Sequence, residues 1–319
     1  MIKQQIDPEL LIAMEERQLP DFDMWEDLNR TRATFKKGLL ALTKDIPPMA
    51  HIPFEDHQIP GIGNDPDVRV RLYQPNNIAG PMPAMLWIHG GGYVMGTIDV
   101  EVPMMQIMAD SIGCTIVAVE YRLAPEHPFP APLNDCYAAL AWMFKQAENL
   151  NIDPKRIALS GVSAGGGLAA ALALMARDKG EYQPCFQLLL CPMIDDRNNE
   201  ASTLFDLTGI AWDKDSNRRG WDAYLGKNKV DDLPSYALPS RAEDLSGLPP
   251  AYIAVGSLDL FLDENITYAR RLMANKVAAE LHVFPGGTHA FEFRAPGIRL
   301  SRRAHYLNFE IVKQAFGIA

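Results

Sequence analysis

What this chain has little of limits what it can be. Its 319 residues include four cysteines, Cys114, Cys136, Cys185 and Cys191. Four thiols in a chain this long do not make a disulfide framework, and each stands in an apolar stretch, where it reads as a small buried hydrophobe. No apolar run comes near the ~20 residues that a membrane helix needs. The first residues, MIKQQIDPELLIAMEERQ, lack an apolar core and a small-residue cleavage site. No signal peptide is therefore expected, and the expected compartment is the reducing cytoplasm. Clustered Lys and Arg are also missing: 30 basic against 40 acidic residues leave a formal net charge of −10. Phosphate backbones and anionic surfaces need clustered cations, so neither nucleic acid nor membrane is an expected partner. There is no H-E-x-x-H, no Cys–His ligand spacing and no G-x-x-x-x-G-K-[ST] loop, so no metal and no cofactor are expected. Internal repeats and low-complexity stretches are absent too.

What is present is a well-apolar chain, 48% hydrophobic. Residues 8–18 and about 23–43 show apolar residues at three- and four-residue intervals after Asp7-Pro8 and Asp21–Asp23, and read as helices. The alternating runs His51–Pro60 and Val68–Gln74, separated by a turn-rich Gly61–Pro66, read as a hairpin. From residue 84 onward short apolar runs (84–89, 115–121, 156–161, 186–191, 251–256 and 280–285) alternate with helical segments such as 132–148, 164–178 and 262–275. That rhythm predicts an α/β fold with a mostly parallel sheet covered on both faces. The rhythm breaks between Cys191 and Ala251. The expected organisation is N-terminal cap helices over 1–48, a first core part over 49–194, an inserted helical cap segment over 195–240 and a second core part over 241–319.

The strongest motif is Gly161-Val162-Ser163-Ala164-Gly165, a G-x-S-x-G directly after the run RIALSG and directly before the Ala-rich LAAALALMA. Strand, sharp turn and helix in that order are what a nucleophile elbow requires. The turn lifts the Ser163 hydroxyl to the helix N-terminus, where partial positive charge favours an anion. The overlapping Gly165-Gly166-Gly167-Leu168-Ala169-Ala170 also fits G-x-G-x-x-A, a dinucleotide fingerprint. It is set aside because its glycines lie inside the helix and the next strand ends at Cys191 without an acid for a ribose. A second motif, His89-Gly90-Gly91-Gly92-Tyr93, closes the run AMLWIH. Consecutive glycines leave backbone N–H groups bare and, with the N–H of Ala164, can form a three-donor hole for an oxyanion.

The series HGGGY, YRLAPEHPFPAPLNDCYAALAW (121–142) and DPKRIALSGVSAGG (153–166) resembles the hormone-sensitive-lipase-like, or bacterial family IV, esterases. The resemblance runs from about residue 67 to 293. It implies an eight-stranded α/β-hydrolase core with a helical cap, hydrolysis of short-chain or aryl esters, and oxyanion donors at Gly91, Gly92 and Ala164. It also implies a homodimer. One departure is Val162, where the family has Asp before the nucleophile.

A Ser–acid–His order places the base after the last apolar run, at His289 in Pro285-Gly286-Gly287-Thr288-His289. His51 and His57 precede the core, His127 sits in the APEHPFP loop, His282 alternates within a strand, His305 lies in the final helix, and His89 is expected to orient the glycine loop. By position the acid is Asp259, after AYIAVG, with Asp263, Glu264 and Glu292 as rivals. The segment resembles the family's Asp-Pro-Leu-x-Asp with Leu260 in place of Pro. Trp25, Phe205, Trp212 and Trp221 are candidates for pocket walls or for cap core. The expected activity is serine carboxylic ester hydrolysis of small-molecule esters through an acyl-enzyme. Amide or carbamate hydrolysis on the same residues is an alternative. A non-catalytic ligand receptor of the same fold is another, and the presence of His289 speaks against it.

Overall fold

The computed structural model describes residues 2–16, 23–76, 78, 80–205, 211–227 and 233–318. The apolar runs pair into one eight-stranded sheet. Its strands are β1 (Phe54–Ile59), β2 (Val68–Tyr73), β3 (Met82–Ile88), β4 (Thr115–Glu120), β5 (Ile152–Val162), β6 (Phe186–Leu190), β7 (Ala251–Gly256) and β8 (Ala279–Phe284), in spatial order β1-β2-β4-β3-β5-β6-β7-β8. β1 and β2 form the expected antiparallel hairpin, with Phe54 opposite Tyr73 and Ile59 opposite Val68. β2 also runs antiparallel to β4. All later pairings are parallel.

Side chains of a strand alternate between faces, so a strand covered on both sides must be apolar at every position. β3 meets that condition, with all seven residues buried. Its Leu86 and Ile88 enter one core and Met85 and Trp87 the other. The first core is closed by α4 (Ala131–Lys145), α5 (Ala164–Lys179) and α7 (Leu262–Ala274). The second is closed by α1 (Pro8–Glu15), α3 (Val102–Ile112), α8 (Phe291–Arg294) and α9 (Arg299–Phe316). α5 is buried all round from Ala164 to Ala176. Its Ala and Gly content suits that burial: where a helix presses on a sheet and on other helices, small side chains permit the closest approaches and the intervening Leu168, Leu172, Leu174 and Met175 fill the core.

The segment preceding the sheet divides. α1 is capped by Asp7, whose carboxylate accepts from the N–H groups of Glu9 and Leu10. It docks on the loop after β8: the Asp7 N–H donates to the Gly286 carbonyl at 3.0 Å, and the Arg299 N–H donates to Glu9 at 2.8 Å. Residues 17 and 18 of the expected first helix lie outside the described residues. α2 (Leu28–Thr43) begins five residues later than the periodicity suggested, because Asp27 caps it by accepting from the Arg30 N–H at 3.0 Å. Asp23 instead holds a turn through the Trp25 N–H. α2 is tied to the far side of the site: Arg32 donates to the carbonyls of Val94 (2.8 Å) and Ala124 (3.0 Å) and pairs with Glu126.

Within 195–240 the described residues hold short 3-10 turns (Ala201–Leu204, Ser235–Ala237, Pro239–Arg241) and α6 (Lys214–Leu225). Residues 206–210 and 228–232 of this segment lie outside the described residues. α6 buries Asn217, Gly220, Trp221, Tyr224 and Leu225 on one face and exposes Arg218 and Asp222 on the other, the three-and-four spacing of an amphipathic helix. Trp221 is core, 2% exposed, against Tyr93 at 5.1 Å and Tyr224 at 5.8 Å between ring centroids. It belongs to the first core.

Candidate active site

Parallel α/β sheets carry their sites outside the carboxyl ends of the strands. The loops leaving β3, β5, β7 and β8 here carry His89–Gly92, Ser163, Asp259 and His289. At the turn from β5 to α5 the chain reverses with almost no space. A Cβ on Gly161 would lie 2.3 Å from the Gly165 carbonyl oxygen, so only glycine permits this approach of strand and helix. Ser163 itself has φ 58°. A non-glycine residue there costs on the order of 1–3 kcal/mol and persists only where its surroundings over-determine it. The Ser163 N–H donates to the Leu190 carbonyl, and the Ser163 carbonyl accepts from the N–H groups of Gly167 and Met193, at 2.8, 2.9 and 3.0 Å.

The structure brings the three residues expected as nucleophile, acid and base together. The Ser163 Oγ lies 2.8 Å from His289 Nε2. His289 Nδ1 lies 2.9 and 3.1 Å from the two oxygens of Asp259. A carboxylate only accepts, so the network assigns the hydrogen to Nδ1 and leaves Nε2 free to accept from the serine. Asp259 is fully buried and is held in turn by the Phe261 N–H at 3.0 Å. The Phe261 ring stands edge-on to the imidazole with centroids 5.0 Å apart. The rival acids are engaged elsewhere or make no such bond. Asp263 accepts from the Ser202 N–H at 2.7 Å. Glu264 accepts from the Ile194 N–H at 2.9 Å, and burial pushes its carboxyl well above the usual range. Glu292 is buried behind the histidine, with its carboxyl pushed up to about 7 chiefly by burial.

The glycine loop lies against the nucleophile turn: a Cβ on Gly90 would stand 3.4 Å from Ser163 Cβ. Gly91 and Gly92 both have positive φ, 124° and 58°. Among the described residues no group accepts from the N–H of Gly91, Gly92 or Ala164. His89 lies within the loop's frame: its Nδ1 is 2.8 Å from the Gly90 carbonyl oxygen and its ring stacks on Tyr121 at 4.2 Å. Tyr121 donates to the His89 carbonyl at 3.0 Å. The motif YRLAPEHPFPAPLND finds its reason in Arg122, whose guanidinium and backbone N–H both bind the buried Asp135, at 2.7 and 2.8 Å. Val162 is 6% exposed and lies in an apolar cluster with Leu190, Cys191 and Phe291. A carboxylate in that environment would need a partner that an apolar side chain does not.

One neighbour was not singled out by the sequence reading. Cys191, Asp259 and His289 offer ligand-type atoms within 4.8 Å of one another. Burial pushes the thiol well above its usual range, so the thiolate that a cation needs is disfavoured, and Asp259 and His289 already bind each other. Cys191 reads from sequence as a small buried hydrophobe, and its position beside the histidine arises only from the sheet order. Of the other candidate aromatics, Phe205 packs against the first core and Trp212 pairs with Trp25 at 6.4 Å.

A family model described as alpha/beta hydrolase fold matches residues 85–293. The chain is 37% identical over 237 residues to the carboxylesterase NlhH of Mycobacterium tuberculosis, covering 70% of this chain and 71% of that one. It is 33% identical over 247 residues to an arylesterase of Saccharolobus solfataricus, covering 75% of each. Among solved structures, a bacterial heroin esterase superimposes with a TM-score of 0.93 at 40% identity over 99% of both chains. Sheet order, elbow and family match agree: the chain belongs to the α/β-hydrolase fold family, in the hormone-sensitive-lipase-like group of esterases that its motifs resemble.

Proposed function

We propose that this chain is a serine carboxylic ester hydrolase that acts on short-chain acyl or aryl esters through an acyl-enzyme on Ser163. The observation that carries the reading is the unbroken chain of hydrogen bonds from Ser163 through His289 to Asp259, with the glycine loop packed against the nucleophile turn. In this reading His289 Nε2 takes the serine proton as Oγ attacks the ester carbonyl. The N–H groups of Gly91, Gly92 and Ala164 receive the developing oxyanion, each donor supplying ~2.7–4 kcal/mol. His289 returns the proton to the leaving alcohol. Water then repeats the sequence on the acyl-serine and frees the acid. Asp259 fixes the tautomer and stabilises the imidazolium. No step needs a cofactor or a metal.

The segments 1–48 and 195–240 act in this reading as a cap around the core parts 49–194 and 241–319. Support comes from the Trp25–Trp212 pair and from the Arg32 bonds to the Val94 and Ala124 carbonyls. A cap of that kind encloses a finite pocket. Each acyl methylene that fits gains up to ~0.8 kcal/mol, and the first that does not fit costs overpacking. The partner is accordingly a small-molecule ester, with neither nucleic acid nor membrane, for an acidic chain acting as a cytoplasmic homodimer. Four free cysteines and a net charge of −10 support that setting.

The test is initial rate against p-nitrophenyl acyl length in detergent-free buffer, with mass spectrometry after an organophosphate. The expected result is an optimum at about C2–C6, a steep fall beyond roughly C8, and an adduct on Ser163. Labelling elsewhere, or activity only on p-nitroanilides, overturns the reading.

A further inference from the structure

The three glycines of the oxyanion loop are the freest residues in the site, and a hole works only if its donors are held in place before reaction. The two glycines at positive φ are held differently. The space where Gly91 would carry a Cβ is filled by the Met95 carbonyl oxygen at 2.1 Å, from the same loop. The corresponding space at Gly92 is filled by a side chain from a distant part of the sequence: Trp212, with Cη2 at 2.3 Å and Cζ2 at 2.7 Å of the Cβ position. The far edge of the indole therefore rests on the Gly92 backbone.

The indole is itself fixed. Trp212 immediately precedes the Asp213 cap of α6, whose carboxylate accepts from the Ser216 N–H at 2.8 Å. Its Nε1 donates to Asn217 at 3.3 Å, and the buried Asn217 donates on to Asn198 at 2.9 Å. From α6, Gly220 closes the other side: a Cβ there would meet the Gly92 carbonyl oxygen at 3.1 Å and Trp212 Cζ2 at 3.2 Å. Around them Val94, Met95 and Ala124 form a small apolar cluster of their own, apart from the two cores, and both Trp25 and Trp212 pack on it.

We propose that Trp212 is a positioning residue for the oxyanion hole, its indole edge setting the Gly92 backbone so that the insertion carrying α6 controls the chemical step. This rests on the hydrolase reading above. Trp221 and Tyr224 of the same insertion pack on Tyr93, one residue on, at 5.1 and 4.1 Å, while the side chains nearest the other two glycines, Val162 and Ser163 at Gly90 and Met95 at Gly91, belong to the nucleophile turn and to the loop itself. Trp212 comes instead from the insertion, so displacing that segment displaces a hole donor. A pocket wall and a positioning residue differ in what they act on. A wall alters binding of the whole substrate. A residue that sets the hole alters only species that place an oxyanion in it.

The experiment compares Trp212→Ala and Trp212→Phe with the parent enzyme. It measures kcat and KM on p-nitrophenyl butyrate, Ki for an alkyl trifluoromethyl ketone, which forms an oxyanion adduct on the serine, and Ki for the ether of the same shape, which cannot. Loss of one full donor lowers kcat about 10²–10³-fold. A misplaced donor is expected to cost about ten- to a hundredfold in kcat with KM nearly unchanged. The ketone should weaken by the same factor, the ether should bind as before, and Trp212→Phe should recover most of the loss. A second arm places Gly92→Ala in parent and Trp212→Ala backgrounds. If the indole edge is the clash, the double variant is more active than Gly92→Ala alone. Parallel weakening of ketone and ether with kcat intact, or no change in any of the three, overturns the proposal. Should the parent fail to form a ketone adduct, the hydrolase reading falls, and this assignment with it.

Discussion

At the residue scale, four carboxyl groups, Asp259, Asp263, Glu264 and Glu292, compete for the role of acid, and one of them, Asp259, bonds the His289 imidazole. Sequence order, a loop position after a strand and the likeness to the family's Asp-Pro-Leu-x-Asp segment nominate Asp259; the structure adds that β7 and β8 are parallel neighbours, so a short segment leaving β7 reaches the loop after β8. The sequence signals leave Asp263, Glu264 and Glu292 as lesser rivals, because burial and partner choice are tertiary properties. Glu292 illustrates the point. It lies three residues after His289 yet is buried without a bond to it, and burial, opposed in part by the nearby His289, pushes its carboxyl up to about 7. In the unfolded chain it ionises near 4.5. Between those values the folded state holds the extra proton, so stability falls as pH rises through the window, and the full penalty is present above about 7. At 1.36 kcal/mol per unit this is on the order of 3 kcal/mol. Glu292→Gln never charges. Its urea midpoint relative to the parent is expected to be higher at pH 8 than at pH 5, and a pH-independent difference would contradict the account.

At the scale of elements, the helices and strands that build the core were legible, because their residues are buried on a helix or strand period. α5 begins at Ala164 and β3 ends at Ile88, within a residue of the expected limits. The start of α2 was not legible: the sequence pointed to cap chemistry at Asp21–Asp23, whereas the cap is Asp27, four residues beyond Asp23. What α2 does was less legible still, since Arg32 in sequence is one of many exposed-looking cations. It reaches two carbonyls of the loops flanking the site and a carboxylate beyond them. Charge-assisted bonds of this kind contribute about 1.5–3 kcal/mol each. Arg32→Ala is expected to release α2 locally while leaving the sheet intact. Hydrogen exchange should then show faster amides in Leu28–Thr43 with β3 to β7 unchanged. Uniform acceleration across the sheet would mean that α2 is part of the global fold instead.

At the scale of the whole molecule, eight strands in a mostly parallel sheet with cores on both faces followed from apolar runs alternating with helical periods, joined to a family resemblance for the strand count. Strand order did not follow, because periodicity says which residues are buried and not beside which neighbour. Neither did the docking of α1, whose residues carry no motif. That docking governs the order of assembly. Thr288, next to the histidine, meets Met14 across 274 residues, and the Arg299 N–H meets Glu9 across 290. Closing a loop of that length is entropically slow, and contacts so remote in sequence form after local ones. The histidine loop thus gains its N-terminal support at the end of folding, like a clasp fastened once both ends of the belt have met. In refolding from denaturant, helix signal by circular dichroism is expected to return ahead of esterase activity, with the lag lengthened by Glu9→Ala. Simultaneous recovery of both signals would show instead that the histidine loop sets without its distant partner.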